Sequence, residues 1–148
     1  MQISVRNATD KDIPVILDLL YSLGRPKAKD DVEIEVFEKQ IKQYISNSDK
    51  QILVAELDSK IVGMVSLMFI SRLNRDKLEL YIPELIVSKE NTRKGFGNTL
   101  IEQCIKLAKE KKCHRIRLES GNQRIESHQF YKKLGFTQHA LSFTLDIS

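Results

Sequence analysis

Hydrophobic and polar positions change period several times along the chain, and each change marks an element. Ile3 and Val5 alternate with polar neighbours as a short strand, and Thr9 with Asp12 three residues on has the spacing of a capping box. The spacing then turns helical: near Asp10 a helix should begin, with Ile13, Ile16, Leu17, Leu20 and Leu23 on one stripe and Gly24 at its end. Residues 25–31, RPKAKDD, read as a polar loop before a second helix with the stripe Ile34, Phe37, Ile41, Tyr44 and Ile45. Gln51 to Leu57 and Lys60 to Ile70 are rich in Ile, Val, Leu and Met and are joined by Asp58-Ser59, the pattern of a hairpin. Residues 76–87 predict a further long strand, interrupted at Pro83.

At residues 88–97, SKENTRKGFG, the apolar pattern breaks and then opens a helix with the stripe Leu100, Ile101, Cys104, Ile105 and Ala108. Ile116 and Leu118 mark another strand, residues 125–134 a short helix ahead of Gly135, and residues 141–147 a closing strand with alternating apolar positions. A helix-containing connection from Val87 to the strand near Leu118 predicts a parallel pair joined by a right-handed crossover, and the remaining strands can be antiparallel. The fold class is therefore α/β or α+β, a mixed sheet covered by helices.

Composition narrows the picture. A length of 148 residues fits one domain, and 41% hydrophobic with 30% charged residues is ordinary for a folded soluble protein. The formal charge of +4 is too small to name a partner by itself. The cluster Lys106, Lys109, Lys111, Lys112, Arg115 and Arg117 is interspersed with Glu102 and Glu110, as on a solvated helix face, and lacks an aromatic stacking stripe, so no nucleic-acid partner is expected. Cys104 and Cys113 are too few for a disulfide framework and sit in no metal-ligand spacing, and no metal is expected. With no signal-peptide core at the N-terminus and no apolar run of bilayer length, a soluble, cytoplasmic protein without membrane attachment is expected.

The segment Arg93, Lys94, Gly95, Phe96, Gly97, Asn98 lies between a strand and a helix. First-turn amides and the helix dipole favour anions there, and glycines let a phosphate approach the backbone. A tight loop needing positive φ accounts for the glycines equally well. Rossmann and Walker A fingerprints are excluded, the first by Leu100 where a small residue belongs, the second by the missing Gly-Lys-Ser/Thr.

The run YIPELIVSKENTRKGFGNTLIEQCIKLAKEKKCHRIRLES, then Asn122 and HQFYKKLGF, resembles the GNAT superfamily of acyl-CoA-dependent N-acyltransferases. The opening IxVRNATxxDIPVILDLL is also similar to that family's first strand and helix, so the resemblance covers nearly the whole chain, residues 1–148 as a single acetyltransferase domain. It implies a mostly antiparallel mixed sheet with helices on both faces and a splayed parallel strand pair that holds CoA. Pro83 agrees, because proline cannot donate to a ladder and should disturb pairing just before Glu84. By resemblance, the backbone of Leu85, Ile86 and Val87 meets the pantetheine arm of acetyl-CoA, and Arg93 to Asn98 bind its pyrophosphate. Two departures stand out: Thr92 replaces the family's usual Gln or Arg, and Arg93 sits where the family often has glycine. Arg124 likewise stands where an asparagine is usual, and either Asn122 takes over its bonds to pantetheine or Arg124 contacts the phosphates.

The implied activity is transfer of an acetyl group to a primary amine of a small molecule, directly within a ternary complex. The rival readings are a protein or peptide N-terminal or lysine acetyltransferase and a CoA-binding regulatory module. Such transfer needs a base for the ammonium and an acid for the thiolate. Tyr131 matches the family's acid, and Glu84 is the preferred base, with Glu79, Glu119 and His128 as competitors. Acceptor recognition is expected from the 25–31 loop and second helix through Tyr21, Asp30, Asp31, Glu33 and Phe37, the carboxylates suiting a cationic amine. Dimerisation through the sheet edge near the C-terminus stays open.

Overall fold

In the computed structural model, which describes residues 3–148, the first change of period becomes β1 (Ile3–Asn7), a 3₁₀ turn over Asp10–Asp12 and α1 (Ile13–Ser22). Asp12 fixes this junction. Its carboxylate accepts the Thr9 amide at 2.8 Å and two nitrogens of Arg6 at 2.7 and 3.0 Å. The Arg6 hydrogen bonds, outweighing burial, hold the Asp12 carboxyl below its ordinary pKa. After the loop, α2 (Asp31–Ser46) starts at Asp30, whose side chain accepts the Glu33 amide at 2.9 Å as an N-cap.

The hairpin of β2 (Lys50–Leu57) and β3 (Lys60–Ile70) turns at Asp58 and Ser59, both left-handed with φ of 50° and 71°. Two such residues make the tight turn whose twist suits a hairpin. β4 (Glu79–Val87), α3 (Phe96–Glu110), β5 (Arg115–Leu118) and α4 (Ile125–Lys133) complete the order. The strands form one mixed sheet in the order β1-β2-β3-β4-β5. The β1–β2, β2–β3 and β3–β4 ladders are antiparallel, which leaves β4 and β5 as the parallel pair. The His114 amide, just before β5, donates to the Leu78 carbonyl, just before β4, at 2.9 Å.

The chain divides into two compact units, one ending at Arg117 and one spanning Leu118–Ser148. In the first, the core residues Ile13, Ile16 and Leu17 of α1 and Ile41 of α2 pack with Ile52, Val54 and Met64 on one face of the sheet. The opposite face takes the buried stripe of α3, Phe96, Leu100, Ile101 and Cys104. Gly63 lets α3 sit close: a Cβ there would lie 2.9 Å from the Ile86 carbonyl and 3.5 Å from a Leu100 methyl. Among the described residues no helix is long and apolar enough to cross a membrane.

Two expectations are corrected. The strand before the glycine loop starts at Glu79 and is not interrupted at Pro83; it runs through the proline with a shift of register. The closing strand is not formed: residues 136–148 carry no strand, and Leu141, Phe143, Leu145 and Ile147 are 75–89% exposed. Alternation marks a face that can be buried, but a strand also needs a neighbour's N–H and C=O groups, and the period of a sequence does not supply one.

Candidate active site

The register shift on β4 is the local feature from which the site is built. Ser66 pairs with Glu84 and Met68 with Tyr81, so two steps along β3 match three along β4, a bulge at Ile82-Pro83. The Pro83 carbonyl is turned to accept Arg25 Nη2 at 3.1 Å, and the same nitrogen lies 3.3 Å from Glu84 Oε2. Ser66 Oγ donates to Glu84 Oε1 in a short hydrogen bond and accepts the Glu84 amide at 3.0 Å. One serine thereby holds both ends of the glutamate, fixing the carboxylate over its strand.

That carboxylate opens on a cavity of about 530 Å³ between α1, α2 and the sheet. Leu20, Tyr21, Phe37, Tyr44, Met64 and Met68 are among its apolar walls, and Arg25, Gln40, Ser66 and Glu84 supply polar groups. The Tyr44 hydroxyl donates to the Leu67 carbonyl at 2.9 Å. Burial, reinforced by the negative charge of Glu84 and tempered by Ser66, raises its pKa well above the ordinary phenol value, so this phenol stays protonated.

Beyond Glu84 the strand continues through Leu85, Ile86 and Val87, all half-buried, into the glycine loop. Gly95 is the left-handed residue, φ 88°, that caps α3, and Arg93 is also left-handed at 63°. A Cβ on Gly95 would meet nothing within 4 Å, so the glycine serves the backbone turn and leaves open space beside it. The buried Phe96 ring anchors the loop, while Arg93 and Lys94 are exposed. The helix ladder starts with the Thr99 amide on the Gly95 carbonyl at 3.0 Å, leaving the amides of residues 96–98 in the unladdered first turn. Free-lying amides, open space and two cations make a donor set that fits a pyrophosphate.

In the second unit, Asn122 and Arg124 are exposed in the turn before α4, whose first turn uses the Arg124 carbonyl to accept the His128 amide at 3.1 Å. Tyr131 lies edge-on to Phe130 and Phe136, with centroids 5.3 and 5.7 Å away. Burial raises its pKa, against the opposing pull of Arg124, so the hydroxyl keeps its proton at neutral pH.

The competitors have other partners. Glu79 is fully buried and ion-paired with Arg72, Arg115 and Arg117; burial alone would raise its pKa, but Arg117 and the other two guanidiniums bring it below the ordinary value. Glu119 accepts the Ser142 hydroxyl at 2.8 Å, and His128 Nε2 lies 2.8 Å from the Gly121 carbonyl. Of the expected acceptor residues, Tyr21 and Phe37 line the cavity and Asp30, Asp31 and Glu33 do not. Helix initiation explains this: Asp30 caps α2 and Glu33 accepts the Lys29 amide at 3.3 Å. Sequence reasoning passed over Ser66, placed Tyr44 only on the α2 stripe, and took in Arg25 only as part of the 25–31 loop. One signal was available, since Ser66 is the sole polar residue between Ile61 and Ile70, and a hydroxyl in a buried strand needs a partner.

The model of the Acetyltransferase (GNAT) family matches residues 17–136. Human N-acetyltransferase 8 is 27% identical over 104 residues, 69% of this chain and 45% of that protein. The chain spans about half the length of the curated relatives it matches, from 45% to 61%. Among solved structures, a transcriptional regulator from Bacillus halodurans C-125 superposes with a TM-score of 0.84 at 22% identity, over 99% of this chain and 100% of that one. An aminoglycoside acetyltransferase from an uncultured soil metagenomic sample, in complex with trehalose, gives 0.82 at 17% identity, over 99% and 97% of the two chains. The structures establish the fold, and the family match runs unbroken from α1 through the bulged strand and glycine loop to α4. The chain belongs to the GNAT acetyltransferase family.

Proposed function

We propose that residues 1–148 act as one acetyl-CoA-dependent N-acetyltransferase domain, transferring acetyl to a primary amine of a small molecule by direct attack in a ternary complex. The observation that carries this reading is the Glu84 carboxylate, held by Ser66 at a bulge and facing a half-open cavity, one strand-end away from the glycine-opened start of α3. A concave, mostly apolar cavity of about 530 Å³ is of the size that takes a small acceptor. Acetyl-CoA, as co-substrate, supplies the thioester carbonyl. The amides of residues 95–98 with Arg93 and Lys94 hold its pyrophosphate, the backbone of Leu85, Ile86 and Val87 holds its pantetheine arm, and Asn122 and Arg124 add contacts by family likeness.

Glu84 takes a proton from the bound ammonium, directly or through one water, so that a neutral amine attacks. Tyr131 gives its phenolic proton to the departing sulfur. As the C–S bond breaks and the amide forms, the second proton of the nitrogen passes, directly or through water, to the tyrosinate, and Glu84 releases the proton it took to solvent. No cysteine is used, and no metal or nucleic-acid partner enters this reading. The cytoplasm is the proposed location.

The test is free-thiol release from acetyl-CoA across a panel of amines. Glu84→Gln and Tyr131→Phe are each expected to lower kcat by at least about a hundredfold, the usual worth of a positioned acid or base. Unchanged turnover in Tyr131→Phe removes that residue from the acid role, and absence of thiol release with every amine removes the activity.

A further inference from the structure

Resting on the reading of the Glu84 cavity as the acceptor site, we infer that the acceptor is an amine with a single basic nitrogen on an apolar, ring-bearing body, and that polycations are poor substrates. Glu84 is the one carboxylate among the described residues lining the cavity. One carboxylate compensates one ammonium. A second ammonium lodged in the same space would lie against aliphatic and aromatic walls, short of part of its hydration, in a half-open cavity whose other formal charge is the Arg25 guanidinium. The acidic residues that would welcome a polycation, Asp30, Asp31 and Glu33, belong to the start of α2 and do not line the space.

The walls describe what the rest of the molecule looks like. Phe37, Tyr21 and Tyr44 present rings, and Met64 and Met68 present polarisable sulfurs that pack well against a ring. A volume of about 530 Å³ accommodates a compact organic amine. Arg25, half-exposed, reaches Glu84 from the cavity wall. An arriving ammonium takes over Glu84 Oε2, and the guanidinium, still bonded to the Pro83 carbonyl, gives up its weaker 3.3 Å contact.

The test compares 2-phenylethylamine with spermidine, by thiol release for kcat/KM and by calorimetry for binding in the presence of CoA. A preference for 2-phenylethylamine of at least tenfold in both readouts is expected. Phe37→Ala should shrink that preference at least fivefold through KM, and Phe37→Asp, which adds a second carboxylate, should shift it further toward spermidine. Since Phe37 is half-buried on α2, circular dichroism checks that both variants fold, and the wild-type ratio decides the matter without them. Spermidine equal to or better than 2-phenylethylamine, with turnover still lost in Glu84→Gln, overturns the acceptor class and leaves acetyl transfer standing. Neither binding nor turnover of any amine overturns both.

Discussion

Ser66 and Cys104 show how far burial determines what a side chain can do. Ser66 is 2% exposed, and its hydroxyl satisfies the Glu84 amide and carboxylate together, so the proposed base reaches the cavity already oriented. Glu84 stood out in the sequence because it follows the proline at which the pairing of the strand was expected to be disturbed. Ser66 did not, because its meaning depends on which residue of another strand lies opposite, eighteen positions away. Cys104 is fully buried on the α3 stripe, and burial pushes its thiol up to about 12, so the thiolate needed for an acyl-enzyme is not available near neutrality. At pH 8, iodoacetamide should leave Cys104 unmodified in the folded protein and label it once denaturant is added, as read by peptide mass spectrometry. Cys113, half-buried and also shifted upward by burial, should label more slowly than a free thiol.

For the elements, the turn into α3 is the best-read segment and also the one with an unforeseen detail. The glycine loop, the helix after it and the crossover to β5 all follow from spacing and turn residues. That Arg93 is left-handed, at 63°, does not, because backbone conformation at a non-glycine position is set by the loop it closes. The family's frequent glycine there has a ready explanation in this angle. Gly95→Ala should cost about 1 kcal/mol of stability in denaturant titration, from the left-handed backbone and not from a clash, since the space beyond its Cα is open. The same variant should weaken CoA binding, measured by calorimetry. The alternating residues 141–147 show the reverse case: a legible pattern with no ladder to join, and four apolar side chains left in solvent.

Across the larger unit, the main long-range electrostatic tie is Glu79, which draws Arg72 from the connection before β4 and Arg115 and Arg117 from β5 onto one buried carboxylate. These contacts span up to 38 residues, and nothing local in the sequence announces them. Glu79 is the buried carboxylate that all three guanidiniums share, and removing its charge leaves them crowded together, so Glu79→Gln should cost about 3 kcal/mol at neutral pH. Its folded-state pKa lies below the ordinary glutamate value of 4.5, so the stabilisation is complete above that pH and is lost as pH falls through the lowered value. Melting temperature followed from pH 7 to pH 3 should therefore drop on acidification below about 4.5 in the wild type, and Glu79→Gln should remove part of that drop. A profile in the variant parallel to wild type would assign acid sensitivity elsewhere, Asp12 being the next carboxylate held low by an arginine.

The element order, the β2–β3 hairpin and the parallel crossover were readable because periodicity and connection length constrain them strongly, whereas helices on both faces of the sheet were implied only by the family resemblance. The bulge at Pro83 carries one further consequence. Glu79 and Glu84 are an odd number of residues apart, and in an evenly pleated strand they would project from opposite faces of the sheet. Their partners on β3, Ile70 and Ser66, are an even number apart and share a face, so the extra residue at the bulge resets the parity of β4 and brings both carboxylates to the same side. For side chains, that residue acts as a frame. Removing it would leave the backbone free to pair as an ordinary strand while driving one of the two glutamates into the apolar layer beneath α3, so a one-residue deletion would spend either the proposed base or the anchor of the arginine cluster.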